Sequence, residues 1–206
     1  MKKEVQKKIR PSSKKRVLSF ILLFSFLLAM ILPLSGDGVF KKKELYYYYP
    51  VDWDENVFAN RVYMDLDRDL IFSANNVTQQ FKYEDSEDSV SPECKFFLDY
   101  FDHVIRGKYE EILSFYVDGF FSASNKPKFT MQKLYEPNVL YLSFHDESIA
   151  GVETRVYSFK VSYKIFKNNG TFRRNIHSNT AVPQVYQLIK ENNQYKIYRI
   201  LDIEYE

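Results

Sequence analysis

Cysteine is almost absent from this sequence. Its 206 residues hold one, Cys94, with 6 glycines, 7 prolines, 3 histidines and 1 tryptophan. A single cysteine excludes an intrachain disulfide framework. Three scattered histidines give no reason to expect a dense zinc site. Few glycines and prolines, set against 17% aromatic and 45% hydrophobic residues, exclude collagen-like, low-complexity and wholly disordered chains. The length allows one domain with an appendage.

Charge is unevenly spread. The whole chain is formally +2, but residues 1–16 carry eight Lys or Arg against one acid, Glu4. The body is therefore acidic. A basic tail can point to nucleic acid, but the next segment argues for a membrane. Val17 to Leu34 is an uncharged run of 18 residues, thirteen of them Leu, Ile, Val or Phe. As a helix it would be about 27 Å long, near the minimum for a hydrocarbon core of ~30 Å. Those thirteen residues favour insertion by about 4–8 kcal/mol. The upstream cations place the N-terminus in the cytoplasm and the body outside, and the tail then contacts anionic lipid rather than nucleic acid. The exit, Leu34-Ser35-Gly36-Asp37, lacks the small residue a signal peptidase needs three positions before the cut. The expectation is an uncleaved signal-anchor at 17–34 after a cytoplasmic tail at 1–16. Tyr46 to Tyr49 just beyond it read as an interfacial aromatic belt or as a strand entering the outer domain.

Residues 35–92 read as a juxtamembrane linker, because Asp and apolar residues mix there without periodicity. The acidic stretch Glu84 to Ser89 contains no glycine, so it does not match a calcium loop. Order begins at Ser91-Pro92-Glu93, an N-cap, a first-turn proline and a first-turn acid. Cys94, Phe97, Leu98, Phe101, Val104 and Ile105 share one helical face, and Gly107 ends it. Cys94 reads as a small buried apolar residue. Tyr109, Ile112, Leu113, Tyr116, Val117 and Phe120 predict a second helix. The period then changes to two. Strands are expected at Phe129–Leu134, Val139–Phe144, Arg155–Phe166, Thr171–His177, Gln184–Lys190 and Tyr195–Glu204, with hairpin turns at Asn168-Asn169-Gly170 and Glu191-Asn192-Asn193-Gln194. The fold class is α+β, helices packed in a strongly curved antiparallel sheet over 93–206.

Phe101 to Tyr116, an apolar helix broken at Gly107-Lys108-Tyr109, resembles the opening of the nuclear transport factor 2-like superfamily. Val185 to Ile200, an apolar strand, a polar turn and then Tyr195-Lys196-Ile197, is similar to its last hairpin. Tyr195 stands where that family often has Trp, and Asn193 where it often has Gly. The resemblance implies a cone, a bent sheet wrapping helices with a pocket at the wide end. That fold hosts isomerases, dehydratases, transport factors and secretion-machine subunits, so it does not fix a function. In the enzymes a pocket Asp or a His–Asp pair is the base. Here Asp99, Asp102, His103, His145, Asp146 and His177 are the residues to weigh, and none repeats that spacing. No catalytic, cofactor-binding or metal-ligating residue is assigned. Asn76-Val77-Thr78 and Asn169-Gly170-Thr171 match the glycan acceptor pattern, the second doubling as a turn.

The sequence thus leads to a single-pass membrane protein with an extracytoplasmic, non-enzymatic domain that binds a protein or small-molecule ligand. The expectation includes no nucleic acid and no cofactor, and self-association is open. Two alternatives stand beside it, a structural subunit of an envelope assembly and a pocket enzyme of isomerase or dehydratase type. The state of the cone interior, open or plugged, separates them.

Overall fold

A computed structural model describes residues 45–83 and 90–203. The basic tail 1–16, the apolar run 17–34 and the acidic stretch 84–89 lie outside the described residues. Among those described, no helix is long and apolar enough to cross a membrane.

The elements in chain order are a 3-10 turn Val57–Ala59, α1 (Arg61–Met64), β1 (Leu70–Ala74), β2 (Val77–Phe81), α2 (Pro92–Ile105), a 3-10 turn Glu111–Phe115, β3 (Leu134–Ile149), β4 (Val152–Ile165), β5 (Gln184–Glu191) and β6 (Gln194–Asp202). The strands form one sheet in the order β2-β1-β3-β4-β5-β6. This is the expected α+β class with two corrections. First, the segment read as a linker supplies β1 and β2, and from Tyr46 onward the chain is one compact unit. Second, the sheet is mixed, because β1 runs parallel to β3 at Ile71–Asn138, Phe72–Val139 and Ser73–Leu140. Three hairpins close on two-residue turns with both residues at positive φ: Asn75-Asn76, Ala150-Gly151 and Asn192-Asn193. Such turns match the right-handed twist of the strands they join.

α2 starts as the sequence predicts. The Ser91 side chain accepts from the Cys94 amide at 3.2 Å, with Pro92 in the first turn. Its buried face is wider than the expected stripe, for Phe96 and Tyr100 are buried as well as Phe97, Leu98, Phe101, Val104 and Ile105. Phe97 meets Phe159 and Tyr186, Phe101 meets Tyr163, and Phe96 meets Phe115 and Tyr195. The helix is thus enclosed by the sheet on one side and the 111–115 turn on the other. Each fully buried ring contributes about 1.5–3 kcal/mol of transfer free energy. Gly107 follows the helix at φ +68°, where a Cβ would lie 2.7 Å from the Met131 backbone nitrogen. Only glycine fits this crossing.

The second predicted helix is reduced to Glu111–Phe115. Tyr116 leaves helical geometry (φ −111°, ψ 154°) and bridges Ile197, and the Val117 amide donates to the Ile197 carbonyl at 3.1 Å. Pairing with β6 here outweighs the weak helix preference of Phe115, Tyr116 and Val117. Phe129–Lys133 is not a strand; Gln132 donates its amide to Ile105 at the end of α2. β3 then runs past Phe144 as a 16-residue strand. Its first irregularity is Glu136 (φ 48°), whose amide donates to the Asp67 carbonyl at 2.8 Å. The return strand predicted at 171–177 is a loop organised by buried Asn168. Its Nδ2 donates to the Arg173 and Ile176 carbonyls at 3.0 Å each, and its Oδ1 accepts from the Gly170 amide.

The far end of the β3–β4 hairpin crosses the back of the sheet. Arg199 of β6 donates to Glu147 of β3 at 2.6 Å and 3.1 Å, and the Tyr198 hydroxyl reaches the same carboxylate at 3.3 Å. In a flat sheet these strands would be about 14 Å apart, so the sheet twists strongly. Val156 and Ile189, outside the main core, are buried on this back face. Arg199 holds the Glu147 carboxyl below its ordinary pKa.

Candidate functional site

The interior is filled by rings. The Tyr100 and Tyr116 hydroxyls, both buried, share a hydrogen bond of 2.9 Å, and Tyr186 and Tyr163 adjoin them. Burial holds the phenols of Tyr100, Tyr116, Tyr163 and Tyr186 above their usual pKa. Buried Arg173 lies against the Tyr163 ring, 5.4 Å from its centroid, with Nε donating to Asn175 at 2.9 Å.

Space opens instead at the N-terminal end of α2. A cleft of about 260 Å³ is lined by Phe72, Ala74 and Asn75 of β1 and its turn, Ser91 and Glu93 at the start of the helix, Tyr141 of β3, and Tyr157 and Phe159 of β4. Buried Phe72 and Phe159 form its floor, while Tyr141 and Tyr157 are half-buried walls. The rings meet at angles: Tyr141 stands at 61° to Phe159 with centroids 5.4 Å apart, and Phe72 at 42° with centroids 6.4 Å apart. Tyr195 of β6 stands edge-on to Tyr157 and donates its hydroxyl to Glu93. Burial, then the Glu93 carboxylate, raises the Tyr195 pKa, so this phenol keeps its proton and acts as a donor. A cation already uses these rings from outside, for the Lys190 ammonium lies 4.7 Å from the Tyr195 centroid and 6.0 Å from that of Tyr157.

Aromatic faces carry negative quadrupoles and attract cations, best when water is excluded. Glu93 adds a full negative charge. The N-terminus of α2 opposes it with about half a positive charge, and the Lys190 ammonium opposes it from behind Tyr157 and Tyr195 without lining the cleft. Glu93 is the one charged side chain in the lining, so the cleft suits a small organic cation better than an anion.

The structure places the residues weighed from the sequence elsewhere. On α2, His103 donates from Nδ1 to the Asp99 carbonyl at 2.7 Å and faces Glu111 through Nε2 at 3.3 Å. Asp99 pairs with Lys95 at 2.9 Å and Asp102 with Arg106 at 2.7 Å. His145 lies 3.5 Å from Glu147, and Asp146 3.0 Å from Arg155, both on the β3–β4 hairpin. His177 packs against Tyr46, with ring centroids 4.7 Å apart. None of them lines the cleft, and the three histidines belong to three separate regions. Cys94 is buried in α2 as expected. The Asn169 side chain is engaged with Thr130 at 2.7 Å and with Thr171 at 2.7 Å and 3.0 Å, which accounts for its motif as a turn. Asn76 is exposed in the β1–β2 turn. Among the described residues, no three His, Cys, Asp or Glu converge in a way that would hold a metal ion.

Sequence reasoning missed the β1 contribution to the cleft. Its signal was the pair Asn75-Asn76 between two short runs, Leu70–Ala74 and Val77–Phe81, which is a hairpin pattern. No family model, curated protein or solved structure matches this chain.

Proposed function

We propose that this protein is a membrane-anchored, extracytoplasmic binding domain, not an enzyme, and that its cleft takes a small organic cation such as an alkylammonium group. The observation that carries the binding reading is the cleft itself, aromatic on its floor and walls with the Glu93 carboxylate at the helix start. At about 260 Å³ it is smaller than the 300–1,000 Å³ typical of drug-sized sites, so it fits a headgroup or a side-chain terminus. The anchor rests on the sequence, on Val17–Leu34 behind eight cations. The aromatic filling of the interior speaks against a deep substrate chamber, and the nuclear transport factor 2-like cone remains the fold this reading favours.

Calorimetry or NMR titration of the full-length protein in detergent, with choline against its neutral tert-butyl analogue, tests the cleft. Choline should bind at least about tenfold more tightly, a preference of ~1.4 kcal/mol, and Glu93→Gln should remove most of it. Equal affinity for the two would sink the cation reading.

One observation favours a second reading. Tyr195, behind the cleft wall, donates to Glu93 of the lining and so brings a phenol into contact with a carboxylate, the pairing an isomerase or dehydratase would use as donor and base. That reading requires a bound compound to be chemically altered, whereas the favoured one requires it to be recovered unchanged.

A further inference from the structure

The segment after Tyr46 is rich in aromatic residues, yet it adds little to the core. Tyr47 is 74% exposed, Trp53 54%, Tyr49 48% and Val51 45%. It is nonetheless fastened along its length. The Tyr49 amide donates to the Asn168 carbonyl at 2.9 Å, and the Tyr48 hydroxyl donates to the Arg174 carbonyl. The Tyr48 ring lies on Gly170, whose missing Cβ would sit 2.8 Å from it. Tyr46 packs on His177, and Glu55 pairs with Lys133. Cations stand over two rings, Lys128 over Trp53 at 5.2 Å and Lys167 over Tyr49 at 5.8 Å. A strap held this way with its aromatic faces turned outward is a built surface.

We infer that the Tyr47–Trp53 strap rests in the headgroup region of the lipid bilayer, seating the domain against the membrane. The inference builds on the proposed anchor. Chain length confines the strap: Tyr46 follows Leu34 by twelve residues, a reach of at most about 43 Å even fully extended. Tyr and Trp combine an apolar body with a polar tip, the combination that partitions to the membrane–water boundary, and lysine stems lie there with their ammonium groups in water. Asp52 lies in the strap and Asp54 directly follows it, and both are exposed. They offset Lys128 and Lys167, so attachment comes from the rings and depends little on lipid charge.

Trp53 is the chain's single tryptophan, so its fluorescence reports this surface alone. Full-length protein is reconstituted into phosphatidylcholine vesicles, with and without acyl chains brominated near the headgroup. Trp53 emission should be blue-shifted and quenched several-fold by the bromine, equally in vesicles that contain anionic lipid. Tyr47→Ser should weaken the quenching without unfolding the domain. Emission at the fully aqueous wavelength without quenching overturns the inference. So does a blue shift that bromine leaves unquenched, which would mean a second protein surface covers the strap. Alkaline extraction of the same vesicles judges the anchor separately. Protein that resists extraction with Trp53 unquenched keeps the anchor and loses the seating. Protein that is stripped although Trp53 was quenched keeps the seating and loses the anchor.

Discussion

Two aromatic populations share this chain and behave in opposite ways. Around α2, Phe97, Tyr100, Phe101, Tyr163 and Tyr186 are at most 2% exposed, while Tyr47, Tyr49 and Trp53 are about half exposed or more. Residue type does not separate them. The inner rings come from a helix and strands whose periodicity turns them to one side, and their hydroxyls find each other, as Tyr100 and Tyr116 do. The outer rings come from a segment with no repeating pattern, tied down through its backbone and its neighbours. The same side chain is a core element or a contact element according to whether regular structure surrounds it.

The largest effect that should separate the two populations is alkaline. The inner phenols titrate above their unfolded value, so the stability they confer is complete below about pH 10 and falls as pH rises beyond it. Absorbance titration should show the exposed tyrosines ionising first and a second group ionising only with loss of near-ultraviolet circular dichroism. A single smooth titration would erase the distinction. Next, Phe97→Ala should cost about 3–5 kcal/mol in denaturant unfolding. Tyr116→Phe removes the Tyr100–Tyr116 hydrogen bond in a dry site while Tyr186 stays beside the Tyr100 hydroxyl, and should cost about 1 kcal/mol. Ser91→Ala, at the rim where core meets cleft, removes the α2 cap and should cost about 1 kcal/mol. Smallest, Tyr47→Ala should change stability by no more than about 0.5 kcal/mol. A larger loss would move the strap into the core.

Legibility in the sequence followed the range of the interactions. Ser91-Pro92-Glu93 announces α2 because capping is local. Tyr157 to Ile165 announces β4 because its alternation matches a half-buried strand, and Asn192-Asn193 announces its hairpin because few residues accept positive φ there. β1 was not legible. Asp65, Asp67 and Asp69 break the pattern before it, and its place is set by a parallel partner more than sixty residues away. The loop at 168–178 misled because Asn-Asn-Gly signals a turn equally well when an asparagine side chain, rather than a returning strand, satisfies the backbone. Of the cleft, Ser91 and Glu93 are legible as helix-start residues only. Its walls come from three strands and become a site only once the sheet is assembled.

β1 accompanies β3 only as far as Leu140, so from Tyr141 to Ile149 one side of β3 has no strand beside it among the described residues. Leu142 and Phe144 are exposed along this stretch, which adds it to the outer edges of β2 and β6 as backbone with room for an incoming strand. Its last residues restrain this. His145, Asp146 and Glu147 lie here, and the Asp146–Arg155 and Glu147–Arg199 pairs crowd the edge with charge that an incoming strand would have to strip of water. Three polar residues near the end of one long strand therefore guard this edge against pairing.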